Sequence, residues 1–186
     1  LKAEATNDGF IFILTKSYRV LQFYKGEFSY VNVEGQKTWE TAKNIKSFNG
    51  NLYLLSPQGT QIFKHKPGIN GFAARSGMLE ESEMKNITIL DFAIDGGFYL
   101  LKNDLSLDKV FTTPSYSRRS IVLNKLPENY KLDDNASPTF ITGPNLNYLY
   151  IIVAGKIFIL EPDSRNYKDV RSAKYIGQLE PSNAKI

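Results

Sequence analysis

Phe48-Asn49-Gly50-Asn51-Leu52-Tyr53-Leu54-Leu55 is the stretch on which the fold turns. Asn-Gly supplies the positive φ angles of a tight hairpin turn, and the apolar run after it reads as a buried strand. The same string, an aromatic among aliphatics, recurs as Ile11-Phe12-Ile13-Leu14, Phe98-Tyr99-Leu100-Leu101 and Leu149-Tyr150-Ile151-Ile152. Its central aromatics stand 41, 46 and 51 residues apart. A period of about 40 to 50 residues marks a repeat architecture, so the chain reads as four copies of one unit.

Working outward, each string follows a turn signal: Asn7-Asp8-Gly9, Asn49-Gly50, Asp95-Gly96-Gly97 and Gly143-Pro144-Asn145. A hairpin turn needs a strand ahead of it, which places strands at Lys2 to Thr6, Ile45 to Phe48, Ile87 to Ile94 and Thr139 to Thr142. Third strands fall at Arg19 to Tyr24, Gln61 to His65, Lys109 to Thr112 and Lys156 to Leu160. Fourth strands, more loosely marked, fall at Glu27 to Val33, Gly71 to Arg75, Arg119 to Leu123 and Lys174 to Leu179. Four antiparallel strands joined by hairpins are the blade of a β-propeller. The expectation is an all-β single domain or fragment with repeats at about 1–36, 37–77, 78–130 and 131–186. Four blades make either a small complete ring or part of a larger propeller; the unequal spacings favour the latter. Apolar residues do not recur at helical spacing, and the one helical stretch, Met78 to Met84, reads as a single turn in a loop.

Composition bounds the chemistry. Of 186 residues 42% are apolar, enough for a sizeable core, and 12 Phe with 11 Tyr against one Trp suit sheets. The absence of Cys excludes disulfides, thiolate metal sites and a cysteine nucleophile. No run approaches the roughly 18 apolar residues of a membrane span. A chain that starts at Leu1 suggests a processed product or an excised domain. Net charge is only +4 and the cations are scattered, so no specific nucleic-acid stripe is expected. Phosphate loops, metal-finger spacings and nucleophile elbows do not occur.

The hairpin at 48–55 with Gln61-Ile62-Phe63-Lys64, repeated as Phe92-Ala93-Ile94-Asp95-Gly96 with Phe98-Tyr99-Leu100-Leu101, resembles that of NHL-like and related six-bladed bacterial propellers. The order Trp39, Asn-Gly hairpin, Ile-Asp-Gly hairpin, Asn147-Tyr148-Leu149-Tyr150 is similar to propeller regions of poorly characterised bacterial membrane proteins, some with a phosphatase-like domain. The resemblance implies a non-catalytic interaction module, extracytoplasmic or tethered by a membrane anchor elsewhere in its parent protein, and carries no functional residue over. The last unit departs from the pattern, with Ile152-Val153-Ala154-Gly155 in place of a polar loop, so a tighter hairpin is expected there.

The chemical groups fit that reading. His65, the single histidine, lies between Lys64 and Lys66 and reads as an exposed strand-end residue. Asp8, Asn49, Asp95 and Asn145 recur at turns, where the hairpin needs them, although a calcium-dependent lactonase-like hydrolase would use such positions as oxygen ligands. Asp91 and Asp95 lie four apart on one strand, without a second element to complete a carboxylate pair. Glu80, Glu81, Glu83, Asp133 and Asp134 read as solvated loops. The leading function is a platform whose loops at one face bind a protein, peptide or glycan, with Trp39, Tyr116, Arg118 and Arg119 as binding candidates. No catalytic residue and no cofactor are assigned, calcium being the ion the alternative would need. A propeller that only positions neighbouring domains is the third reading.

Overall fold

The computed structural model describes residues 2–6, 9–17, 19–34, 39, 41–124, 127–128, 138–142, 148–162 and 170–179. It divides into two compact units, residues 1–89 and 90–186.

Unit 1 holds two blades. The first is the meander β1 (Lys2–Ala5), β2 (Ile11–Leu14), β3 (Val20–Tyr24) and β4 (Glu27–Val31). The second combines β5 (Asn44–Phe48), β6 (Asn51–Leu55) and β7 (Ile62–His65). After β7 the chain makes a small ribbon, β8 (Pro67–Gly68) with β9 (Gly71–Phe72), before β10 (Ser76–Gly77) pairs with β7 as the fourth strand. The second blade's fourth strand is therefore at Ser76–Gly77, and the expected strand at 71–75 is a correction. Pro67-Gly68 and Asn70-Gly71 are turn formers that fold this segment back on itself before it can run along the blade.

Unit 2 holds the third blade, β11 (Ile89–Ile94), β12 (Phe98–Lys102), β13 (Leu107–Phe111) and β14 (Ser117–Asn124), which begins at the unit boundary. The fourth blade is β15 (Thr139–Thr142), β16 (Leu149–Val153), β17 (Lys156–Pro162) and β18 (Val170–Gln178). Sequence reasoning keeps these two sheets separate, whereas the structure joins them into eight strands through a parallel pairing of β14 with β18. Both are long, and Val122–Asn124 of β14 run beyond its pairing with β13. Their edge groups are satisfied by Val170–Ser172 of β18.

The turns follow their residues. Asn49-Gly50 (φ 48° and 72°) closes β5 on β6, and Ala154-Gly155 (φ 48° and 78°) makes the expected tight hairpin of the last blade. The segment around Met78 to Met84 forms turns, with Met84 N–H reaching Glu80 O at 3.2 Å. The Asn7-Asp8 and Gly143-Pro144-Asn145 turns, Asp133-Asp134 and Asn147 lie outside the described residues. Strand alternation builds the cores: Phe12, Leu14 and Val20 of the first blade pack with Ile45, Leu52 and Leu54 of the second. In unit 2, Tyr99, Leu101 and Leu107 pack with Phe140, Ile151, Phe158 and Leu160. Among the described residues no helix is long and apolar enough to cross a membrane.

Candidate functional site

A concave site in unit 1 grows out of the end of β4. Beyond Val31 the strand keeps its outward-facing backbone groups: Asn32 C=O accepts the Phe72 N–H at 2.9 Å, and Glu34 N–H donates to Phe72 O at 2.7 Å. Val33 and Phe72 thus form a parallel bridge that pins the 67–72 ribbon to the first blade. The contact requires glycine at position 71. Its φ is +134°, and a Cβ there would lie 2.3 Å from Asn32 O. Residues 32–34 and 67–73 line a cavity of about 490 Å³, with Ile69 fully exposed at the ribbon's tip.

The floor is rigid for reasons that begin with Trp39. Its indole N–H donates to Val31 O at 2.7 Å, and its ring lies 5.9 Å from Phe72 and 4.9 Å from His65. Phe12 meets Phe72 edge-on at 6.0 Å. His65 is 3% exposed, which corrects its expected place at an exposed strand end. The backbone turn after β8 and β9 brings Ala73 O within 3.0 Å of His65 Nδ1 and buries the ring under Trp39. Burial lowers the imidazole pKa from its ordinary 6.5, opposed by the Ala73 hydrogen bond. A carbonyl oxygen only accepts, so the ring donates Nδ1–H to Ala73 O.

Trp39 is 4% exposed, so its surface is spent on packing in unit 1. It reaches the cavity indirectly, through Val31 and Phe72. Tyr116, Arg118 and Arg119 lie in unit 2 around the start of β14; Arg119 is exposed, and Arg118 Nε stands 3.5 Å from Asp108 Oδ2. Asp108, 1% exposed, also takes Lys102 Nζ at 3.1 Å and Ser120 Oγ at 3.0 Å.

The other acids of unit 2 are drawn into similar sets. Asp91, fully buried, accepts the Phe92 N–H at 2.8 Å and the Phe140 N–H at 2.7 Å, tying the third blade to the inner strand of the fourth. Asp95 does more than shape a turn: it accepts the Tyr99 hydroxyl at 2.8 Å and faces Lys109 Nζ at 3.4 Å. Lys109 also donates to the Tyr99 hydroxyl and sits 4.2 Å from the centre of its ring. Burial first, then Asp95, pushes the Tyr99 pKa far up, with Arg171 pulling weakly the other way. Among the described residues no three His, Asp or Glu side chains gather as metal ligands.

The cavity is not legible in a reading of 71–75 as a plain strand. Pro67-Gly68 and Asn70-Gly71 flanking a lone isoleucine were the available signal.

No protein-family model matches the sequence, and no curated protein does. Solved structures do match. A Bacteroides uniformis protein described as a candidate 6-phosphogluconolactonase aligns with 98% of this chain at 12% identity and a TM-score of 0.51. Chaetomium thermophilum Nup170 N-terminal domain, solved in complex with Nup53, aligns with all of it at 15% identity and a TM-score of 0.55. YCF48 bound to D1 peptide aligns with 98% at 12% identity and a TM-score of 0.47. The chain spans 57%, 36% and 53% of those three chains respectively. The first two of these have propeller-type folds, and with its four-stranded antiparallel blades this chain is an all-β protein of the β-propeller fold.

Proposed function

We propose that the chain is an interaction module that binds an extended peptide segment of a partner protein at the cavity formed by residues 32–34 and 67–73. The observation that carries this reading is a fully exposed Ile69 beside a cavity of about 490 Å³, on a ribbon held in place by backbone pairing and a buried Trp39 floor. An apolar side chain held out on a fixed support loses little entropy when a partner covers it. Val33, Pro67, Phe72 and Ala73 offer apolar contact, while Asn32 and Asn70 supply amides for a peptide backbone. That mixture suits a peptide better than a glycan, which needs a denser set of polar groups. The structure of Nup170 with Nup53 is support at the level of fold only. Exposed Arg119, with Tyr116 and Arg118 beside it in sequence, is a second contact region in unit 2 for acidic groups of such a partner.

The test is to pan a library of random short peptides on the immobilised chain and measure the selected peptides by calorimetry. Selected peptides should lose at least tenfold in affinity for Ile69→Asp and little for Val122→Ser, an exposed substitution in unit 2. Peptides that bind Ile69→Asp as tightly as the unmodified chain would remove the cavity from consideration.

A further inference from the structure

The cavity at residues 32–34 and 67–73 carries a charge for which the described residues supply no partner. Among the described residues that line it, Glu34 is the one ionisable group, and the others are apolar, glycine or asparagine. Side chains alternate along an extended backbone, and Val33 is buried in the core of unit 1, so Asn32 and Glu34 on either side of it point the other way. Glu34 is exposed, and its carboxylate enters no ion pair among the described residues. Its backbone is held all the same, because the Glu34 N–H donates to Phe72 O at 2.7 Å. The root of the side chain is thus fixed against the ribbon while its charged end is left to solvent. Another acid of the same unit differs: Glu4 Oε2 stands 4.0 Å from Lys46 Nζ, and Glu4 Oε1 accepts the Ser47 N–H at 3.3 Å.

We propose that the peptide bound in this cavity presents a basic side chain, arginine in preference to lysine, to Glu34; the step rests on the peptide reading of the cavity. Long basic side chains bury an apolar stem along apolar surface and keep a cationic head at a polar partner. The cavity has the complementary division: Pro67 and Ile69 are exposed apolar surface for the stem, and Glu34 is the counter-charge for the head. The side-chain oxygens of Asn32 and Asn70 on the same lining are further acceptors, which a guanidinium with five N–H donors uses more fully than an ammonium. An acidic peptide is the competing occupant, since the whole chain has a net charge of +4 and Lys66 stands just ahead of the ribbon. Lys66 is exposed and outside the lining, so salt screens it. Glu34 is on the lining itself and becomes enclosed once a peptide fills the cavity, which strengthens its pull on a cation and its repulsion of a carboxylate.

Random short peptides panned in parallel on the unmodified 186-residue chain and on Glu34→Gln test it. Peptides selected on the unmodified chain should be enriched in arginine and lysine, and those selected on Glu34→Gln should not. In calorimetry, exchanging the basic residue of a selected peptide for neutral citrulline or norleucine should cost about fivefold or more in affinity, beyond most exposed ion pairs. The same exchange should cost less than about twofold on Glu34→Gln, where the charge it would lose has no partner. Glu34→Lys, at the same exposed position, should turn the selection toward Asp and Glu. The exchange in the peptide leaves the protein untouched, so it decides the matter even where a variant melts early. Peptides that depend on Ile69 but lack basic residues, or that bind Glu34→Gln as tightly as the unmodified chain, would overturn the charge preference and leave peptide binding at the cavity standing. Peptides indifferent to Ile69→Asp, or no selected peptide at all, would remove both.

Discussion

Replacing Trp39 by phenylalanine separates a structural role for the indole from a surface role. The change removes the 2.7 Å hydrogen bond to Val31 O and part of the ring that contacts Phe72 and His65. Leaving a part-buried carbonyl without its donor costs about 1–2 kcal/mol. The lost ring volume in a site only 4% exposed adds about 1–2 kcal/mol of transfer and cavity cost. The sum is about 2–4 kcal/mol. In a chain of this length 1 kcal/mol moves Tm by about 2–4 °C, so a fall of about 4–16 °C is expected. Circular dichroism is the appropriate readout, since the substitution removes the only tryptophan. Urea melts at constant m-value would give the free energy directly. If the two compact units melt separately, only the transition of residues 1–89 should move. A loss below about 0.5 kcal/mol, the scale of an ordinary surface substitution, would refute the packing argument.

Gly71→Ala should cost more than about 1 kcal/mol, because its Cβ would meet Asn32 O at 2.3 Å, and it should weaken peptide capture with Ile69 intact; calorimetry on the melted and peptide-bound states checks both. Asp91→Ala removes the acceptor of two backbone N–H groups and should cost about 3–5 kcal/mol in urea titration, whereas Asp91→Asn should lose about half, since its amide still accepts one. His65 provides a pH signature. Its folded pKa is below the unfolded 6.5, so the unfolded state binds the proton first, and stability present above 6.5 falls as pH drops through the folded value. Urea midpoints measured down from neutral pH should show this slope, flattened in His65→Asn, whose amide can still donate to Ala73 O.

The regular part of the fold was legible because hairpin chemistry and strand period are local. Asn49-Gly50 with Leu52-Tyr53-Leu54-Leu55 fixes both a turn and a buried strand without reference to distant residues. The joining of the third and fourth blades was not legible, since the β14–β18 pairing spans 48 residues, from Val122 to Val170, and no local signal specifies a parallel partner. His65 was misplaced for the same reason. Its neighbours in sequence, Lys64 and Lys66, suggest solvent, while its surroundings in space are Trp39 and the Ala73 carbonyl. The cavity depends on Phe72 reaching back to Asn32 and Glu34, a contact set by Gly71 and visible only once the chain is folded.

The distribution of polar groups bears on what the scaffold does. Asp91, Asp95 and Asp108 look at first like the acids of a catalytic centre, yet each is engaged in holding strands together: Asp91 by backbone N–H groups, Asp95 by Tyr99 and Lys109, Asp108 by Lys102, Arg118 and Ser120. An acid committed in this way gives up order in the fold when it turns to a substrate, so its use in binding would carry a stability cost of several kcal/mol. Ile69 stands in the opposite situation. It is fully exposed, contributes no packing, and can be covered by a partner without disturbing Phe72, Trp39 or the β4 extension beneath it. The proposed recognition at the ribbon would therefore be uncoupled from the stability of the blades, the condition under which Ile69→Asp abolishes capture while the melt of unit 1 stays where it was.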